Sequence, residues 1–202
     1  MKIDLRLQHP EYYNPPARPV LATFAGIPYV AVDGRGAPGG AEHTAAMEAI
    51  YPVAYAAKFA AKAQGRDFTV AKQEGLWWFD EHLPAAEVPR ETWNWTLLIR
   101  LPDFVDEAAV AAAKATASAK KPGNTVISQV HYKELEEGLS VQMMHHGPFT
   151  TEPETVRLMK HFMEDHGLEY NGMHHEIYIT DFRRLPPEKW RTVLRYPVRP
   201  RK

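Results

Sequence analysis

The chain has 202 residues, of which 45% are apolar and 11% aromatic, so it can bury a core. Its 24 basic and 25 acidic residues give a formal net charge of −1, whereas nucleic-acid-binding domains usually carry a basic excess. The absence of cysteine excludes disulfide bridges and thiolate chemistry, and no apolar run approaches the roughly 20 residues that cross a bilayer. We therefore expect a cytoplasmic protein that binds neither nucleic acids nor membranes.

The first half of the chain predicts mixed secondary structure behind a polar N-terminal segment. Residues 1–20 are polar and rich in proline, so we expect an extended arm there. Residues 27–32 form a β-branched run that is typical of a strand. Apolar residues at helical spacing predict a helix over 42–65, in which Pro52 indicates a kink or two consecutive helices. Two strands, within 68–79 and 93–101, and an alanine-rich helix over 106–121 follow.

The second half predicts the same alternation of elements. Strands are expected over 126–135 and 139–145. A helix then begins after Thr150 or Thr151, either of which can cap it, and ends at Gly167. The closing strands are predicted over 173–181 and 191–198.

The two halves form an internal repeat of pattern and order, because each predicts strand–helix–strand–strand. Two such units sharing an antiparallel sheet, with helices on one face, give an α+β fold. A cleft at the pseudo-twofold axis is the place where we expect a ligand. The corresponding segments are 29–34 with 141–146, 77–80 with 178–181, and 95–100 with 190–195.

The repeat also sets the predicted domain boundaries. Beyond the arm over 1–20, we expect one domain over 21–198. Its two repeats cover about 21–102 and 125–198. The helix over 106–121 has no counterpart and is interpreted as an insertion.

Five short segments of this sequence, taken in order, resemble the stand-alone GyrI-like (gyrase-inhibitor-like) domains. The resemblance runs from about Pro19 to Val198. It implies a fold of two strand–helix–strand–strand units around a small-molecule pocket. One departure is that the family often has tyrosine after Gly-Pro, where this chain has Phe149. The segments are Tyr55-x-x-Lys58-Phe59, Glu74-Gly75-Leu76-Trp77-Trp78, Gly138-x-Ser140-Val141-Gln142-Met143-x-His145-x-Gly147-Pro148, His175-Glu176-Ile177-Tyr178-Ile179-x-Asp181, and Thr192-Val193-Leu194-Arg195-Tyr196-Pro197-Val198.

The resemblance implies two functions from different classes. The domain serves as the effector module of multidrug-sensing transcription regulators, in which a buried glutamate meets cationic aromatic drugs. The stand-alone branch hydrolyses cyclopropane-bearing, DNA-alkylating natural products of the yatakemycin and duocarmycin type, which protects the cell. The chain is accordingly interpreted as a cyclopropanoid hydrolase or, alternatively, as a protein that sequesters or senses drugs without turnover. We expect a monomer or a homodimer.

Glu176 is the strongest candidate for a catalytic residue. It lies in a strand of alternating character, where His174, Glu176 and Tyr178 share one face. Burial of an acidic group in the middle of a strand is unfavourable unless the group is paired with another residue or takes part in function. One interpretation is a carboxylate satisfied by an arginine or a backbone amide. The other, which the resemblance favours, is a general base that activates water.

Aromatic residues supply the predicted binding surface for a flat aromatic or cationic ligand. Trp77 corresponds to Tyr178 in the repeat, so both are expected on one side of the sheet, where they would sandwich the ligand or simply pack in the core. Tyr55 or Tyr178 would donate a hydrogen bond during catalysis. The residues assigned to ligand binding are Trp77, Trp78, Glu74, His145, Phe149 and His174.

The ten histidines raise the question of a metal site. His145, His174 and Glu176 would make a conceivable site, but no helical His-x-x-x-His pair supports it. The favoured interpretation is that these histidines orient the carboxylate. No nucleophilic serine elbow or phosphate-binding loop is present either. We predict neither a metal nor a cofactor.

Overall fold

The computed structural model describes residues 2–79 and 87–201, which form two compact units. The first unit consists of Met1–Gln8 and Ile27–Leu135, and the second consists of His9–Gly26 and Glu136–Lys202. Both contain antiparallel strands with helices packed on them, so the predicted α+β class is confirmed. The prediction of one domain over 21–198 stays a prediction.

The first unit contains a four-stranded antiparallel sheet in the order β3–β4–β2–β5. Paired positions include Val30 with Ile99 and Gly75 with Leu97. The strand–helix–strand–strand order that the sequence predicts is present here as β2, α3, β3 and β4. The elements of this unit are α1 (Leu5–Gln8), β2 (Ile27–Arg35), α3 (Ala41–Ala63), β3 (Gln73–Trp78), β4 (Asn94–Arg100), α4 (Glu107–Lys120) and β5 (His131–Leu135).

Two helices cover this sheet. α3 packs on β2 and β4 and continues through Pro52, so the alternative of two consecutive helices is wrong. Buried residues on both sides of the proline, Ile50 and Val53, offset the hydrogen bond that proline cannot make. α4 packs on α3 through small side chains and begins at Asp106, whose carboxylate accepts a hydrogen bond from the Ala109 amide at 2.8 Å. Among the described residues, no helix has the length and apolar character to span a membrane.

The second unit contains a sheet in the order β1–β6–β9–β8, and β7 pairs with the far end of β9. Here the repeated order is β6, α5, β8 and β9. The amphipathic helix α5 places Met159 and Met163 against Val141, Met143 and Leu194 of the sheet. The elements are α2 (Pro10–Tyr13), β1 (Val20–Phe24), β6 (Gly138–His146), α5 (Glu152–Asp165), β7 (Leu168–Tyr170), β8 (His174–Tyr178) and β9 (Arg191–Pro200).

The outer strand of each sheet comes from a distant part of the chain. β1 ends just before β2 begins, yet it pairs with β6, for example through Leu21 and Val141. β5 ends just before β6 begins, yet it pairs with β2, for example through Tyr132 and Val30. The chain therefore exchanges these two strands between its halves, and neither unit is continuous in sequence.

The N-terminal segment differs from the predicted extended arm. Two short helices, α1 and α2, lie within residues 1–20, and Pro10 occupies the first turn of α2, where its fixed backbone angle suits a helix. Tyr12 and Tyr13 are buried, and the Tyr12 ring contacts Phe24 edge-on at a centroid distance of 5.4 Å. These aromatic side chains bury apolar surface and so fix the segment against the second unit. The prolines of the segment do not predict this packing.

A buried ionic network anchors the second unit. Arg195 on β9 is fully buried and donates a hydrogen bond from Nη1 to Glu137 Oε2 at 2.7 Å. His175 Nδ1 lies 3.0 Å from the other oxygen of Glu137. The guanidinium group also donates to Gln142 Oε1, from Nη2 at 3.0 Å and Nε at 3.2 Å. It therefore has several partners, as a buried charge requires.

The same guanidinium group lies against two aromatic rings, which are nearly perpendicular to each other. Its carbon is 4.1 Å from the centroid of Tyr12 and 3.8 Å from that of Phe24. A desolvated cation over an aromatic face is attracted to it by about 2 kcal/mol or more. The N-terminal segment is thus attached to Arg195 through both rings.

Glu137 remains ionised because of its two basic neighbours. Burial by itself raises the pKa of this carboxyl group. The charges of His175 and Arg195, together with hydrogen bonds from both, outweigh burial and lower the pKa of Glu137 to about 2. The ionised carboxylate is therefore part of the folded structure.

Replacing Glu137 with glutamine is expected to destabilise the fold strongly. The change leaves the charge of Arg195 buried without its counter-charge, which typically costs about 3–5 kcal/mol. Urea unfolding at pH 7 measures the free energy directly. Glu188→Gln, at an exposed position, is the matched control and should unfold like the parent. An E137Q protein as stable as this control would contradict the anchoring role.

Acid is expected to weaken the second unit in a defined pH range. Because the folded-state pKa of Glu137 lies below its usual value of 4.5, this carboxylate stabilises the fold above about pH 4.5. The contribution is lost progressively as the pH falls from there towards 2. Unfolding free energies measured from pH 6 to pH 2.5 should fall less steeply in E137Q than in the parent. Parallel curves would contradict the low pKa.

Candidate functional site

The strand that carries Glu176 has the predicted alternation. His174, Glu176 and Tyr178 on β8 are partly exposed, whereas His175 and Ile177 are buried. Successive side chains of a strand point to opposite faces, so the first three share one face. This part of the prediction is confirmed.

Glu176 is paired with His174 on this face. Nε2 of His174 lies 3.2 Å from Oε1 of Glu176, and the two side chains are only 17% and 13% exposed. Their separation of two positions along β8 places both on one face and brings them into contact. The contact between the two side chains is therefore present, and the role of His174 in orienting the carboxylate stays a prediction.

Two tyrosines support this pair. The ring of Tyr196 lies against His174 at a centroid distance of 4.6 Å and against Tyr170 at 4.9 Å. Burial, and then the proximity of Tyr170, Glu176 and Glu152, raise the pKa of Tyr196. Its hydroxyl group therefore stays protonated at neutral pH and can donate a hydrogen bond.

Glu152 brings a second carboxylate to the same place. It is the first residue of α5, where a negative charge is favoured by the helix dipole. One donor atom each from Glu152, His174 and Glu176 lies within 4.8 Å of the others. We call these three residues the carboxylate–imidazole cluster. Two of them lie on one face of β8, and the third is the first residue of α5.

An aromatic group lies at the end of β8. Phe149 contacts the rings of Tyr178, Phe182 and Trp190 at centroid distances of 6.0, 5.8 and 5.0 Å. Tyr178 also contacts Phe182 edge-on. The predicted site residues Tyr178 and Phe149 are thus neighbours, and they belong to the same unit as Glu176.

His145 has a structural role in the second unit. Its Nδ1 hydrogen-bonds Thr155 Oγ1 at 2.8 Å, and its Nε2 lies 3.2 Å from the carbonyl oxygen of Pro148. The Nδ1 contact joins the end of β6 to α5, and the Nε2 contact joins it to the loop that follows β6. The assignment of His145 to ligand binding stays a prediction.

Four other predicted site residues belong to the first unit. Glu74 and Trp77 on β3 are buried, whereas Trp78 is partly exposed. The Trp77 indole stacks on His43, with centroids 5.7 Å apart and planes at 19°. Tyr55 on α3 is 46% exposed and lies near Phe59. That these residues line one pocket with Glu176 and Tyr178 stays a prediction.

Sequence reasoning missed Glu152 and Tyr196 as members of the cluster. Glu152 follows the predicted helix cap directly, a position where acidic residues are common for reasons of helix stability alone. Tyr196 lies in the last segment of the family resemblance, next to Arg195. Strand parity was the available signal, because Tyr196 and Leu194 share one face of β9 and Leu194 pairs with Glu176.

Known structures resemble this fold closely. A conserved protein from Listeria innocua is 38% identical, with a TM-score of 0.91, over 98% of this chain and 100% of its own. A hydrolase from Listeria innocua is also 38% identical over the same shares of both chains, with a TM-score of 0.86. The C-terminal domain of EcmrR shares the fold at 13% identity, with a TM-score of 0.57 over 91% of this chain and 98% of that domain.

Sequence comparison adds the family. No curated protein matches the chain. The GyrI-like small-molecule-binding domain model matches residues 19–199, nearly the range over which the resemblance was recognised. The chain therefore belongs to the GyrI-like small-molecule-binding domain family.

Proposed function

We propose that this protein hydrolyses cyclopropanoid DNA-alkylating compounds of the yatakemycin and duocarmycin type and thereby protects the cell. The observation that carries the proposal is the Glu176–His174 pair, a largely buried carboxylate held by an imidazole beside Tyr178. The relatives from Listeria innocua that are described as hydrolases, at 37–38% identity, support turnover. Membership of a small-molecule-binding family supports the ligand class.

The reaction requires the protein to position the substrate and to supply one general base. Water attacks a methylene carbon of the cyclopropane, the C–C bond to the dienone ring breaks, and its electron pair restores an aromatic phenolate. Glu176 takes the proton from the attacking water through the oxygen that His174 does not hold. The phenolate oxygen then gains a proton, so the product is the substrate plus one water. Ring strain and aromatisation supply the driving force.

The aromatic candidates would hold the flat ligand. Tyr178 and Phe149 in the second unit offer aromatic faces of the kind that stack on heteroaromatic rings. Fixing the cyclopropane next to the attacking water would make the reaction effectively unimolecular. A cationic ligand would gain further from the aromatic faces and from Glu176 or Glu74.

A hydrogen-bond donor is required where negative charge develops. Tyr55 and Tyr178 are the proposed donors to the phenolate oxygen, and a preorganised donor of this kind typically contributes about 10²–10³-fold in kcat. Tyr178 is on the face of β8 that carries Glu176. This makes it the stronger of the two assignments.

The alternative is a protein that binds such compounds without turnover. The same residues would serve, and Glu176 would then act as a counter-charge for cationic ligands. Sequestration leaves the ligand chemically unchanged, so the mass of the recovered compound separates the two functions.

Incubation with a duocarmycin-type cyclopropanoid tests the proposal. Mass spectrometry should show a product that has gained one water. Glu176→Gln keeps the size and polarity of the side chain but removes the basic oxygen, so turnover should drop by about 10²–10⁴-fold while the ligand still binds. Glu188→Gln serves as the control and should retain full activity.

Two results would count against this assignment. Recovery of the intact compound from a stoichiometric complex would replace hydrolysis by sequestration. Full activity in E176Q would move the base elsewhere, with Glu74 and His145 the next residues to replace.

Phenylalanine substitutions identify the hydrogen-bond donor. Tyr178→Phe should lower kcat by about 10²–10³-fold with little change in ligand affinity, because the donor acts mainly in the transition state. Tyr55→Phe is the matched comparison on the first unit, and a larger effect there would reverse the assignment. Equal activity in both variants and the parent would remove tyrosine from the mechanism.

A further inference from the structure

We propose that the carboxylate–imidazole cluster, Glu152, His174 and Glu176, is a binding site for one divalent transition-metal ion of the Zn²⁺ type. The inference goes beyond the proposed hydrolysis and does not require it. The sequence suggested His145 as a third donor, but its Nδ1 lies 2.8 Å from Thr155 Oγ1 and its Nε2 lies 3.2 Å from the carbonyl oxygen of Pro148. Glu152 takes its place in the structure.

The three donor atoms are close enough to share an ion. They lie within 4.8 Å of one another, and the His174 Nε2 to Glu176 Oε1 distance is 3.2 Å. Zinc bound at about 2.0–2.2 Å from each donor holds its ligand atoms roughly 3–3.6 Å apart. Small side-chain rotations of Glu152 would bring the set to that spacing.

The electrostatics of the cluster favour a cation. Two carboxylates in a partly buried place repel each other, and one imidazole offsets at most one charge. A divalent ion replaces that repulsion with attraction to both. The low exposure of His174 and Glu176 strengthens the interaction, since little water is left to screen it.

The neighbours of His174 hold its ring in place. Its Nε2 lies 3.2 Å from Glu176 Oε1, and the ring packs on Tyr196 at a centroid distance of 4.6 Å. An imidazole that is already oriented in this way loses little side-chain entropy when its Nε2 binds an ion.

The donor set selects the kind of ion. One imidazole with two carboxylates suits Zn²⁺ and its first-row neighbours, whereas Mg²⁺ and Ca²⁺ prefer all-oxygen sites. Three protein ligands leave a fourth position for water, the arrangement of zinc sites that bind or activate small molecules. The site would therefore admit an exogenous ligand to the ion.

Metal titration of the full-length protein tests the inference. Protein treated with EDTA and dialysed is titrated with Zn²⁺ at pH 7 by calorimetry, without any organic substrate. We expect one ion per chain and no comparable heat with Mg²⁺. Substitution by Co²⁺ should give the visible absorption of a four- or five-coordinate ion with nitrogen and oxygen ligands.

Single substitutions locate the site. Glu152→Gln, His174→Gln and Glu176→Gln should each weaken Zn²⁺ binding by about 100-fold or more, since even outer-shell partners are worth about 10–100-fold. His161→Gln is the control, because His161 is exposed and pairs with Asp165 away from the cluster. Circular dichroism and thermal unfolding confirm that each variant is folded.

The inference is overturned if the parent binds no Zn²⁺, or if the three substitutions leave Zn²⁺ binding as strong as it is in H161Q. Because the titration contains no cyclopropanoid, its failure leaves the proposed hydrolysis standing. A failure of hydrolysis with intact metal binding leaves the ion site standing.

Discussion

The buried ion pair between Arg195 and Glu137 is the interaction on which the second unit depends. Through the guanidinium group it joins β9 to the turn before β6, and through Tyr12 and Phe24 it holds the N-terminal segment. Buried charges are costly, and the cost is offset here because the hydrogen bonds from His175 and to Gln142 leave few donors or acceptors unused. Removing any one partner therefore affects segments that are far apart in sequence.

This anchor also positions the candidate site. His175 and Glu176 are neighbours on β8, so they point to opposite faces of one strand. The buried face is fixed by the bond between His175 and Glu137, and the other face presents Glu176 and His174. A slip of one residue in the pairing of β8 with β9 would move Glu176 to the face that now holds His175 and would break the contact between His175 and Glu137. Structural and functional demands thus specify the same register.

Local patterns predicted much of the fold. The alternation in β8, the amphipathic helix α5 and the repeated strand–helix–strand–strand order could be read from the sequence because each is a short-range periodicity. The ion pair of Glu137 with Arg195 could not be predicted, because no short-range sequence pattern connects two positions so far apart. The same holds for Glu152 and Tyr196, whose proximity to Glu176 depends on how α5 and β9 pack against β8. The N-terminal segment contains two short helices that its prolines do not predict, and its tyrosines supply the packing.

The exchange of outer strands has a consequence for biosynthesis. All four strands of the first unit have left the ribosome once residue 135 has emerged, so its sheet can be completed while the rest of the chain is still being made. β1 is among the first strands synthesised, but its partner β6 begins only at residue 138. Until then β1 carries a row of unpaired backbone groups, which is the kind of edge that attracts other nascent chains. The edge of β1 therefore stays unpaired until β6 has been synthesised. The rate of translation after residue 135 determines how long this takes.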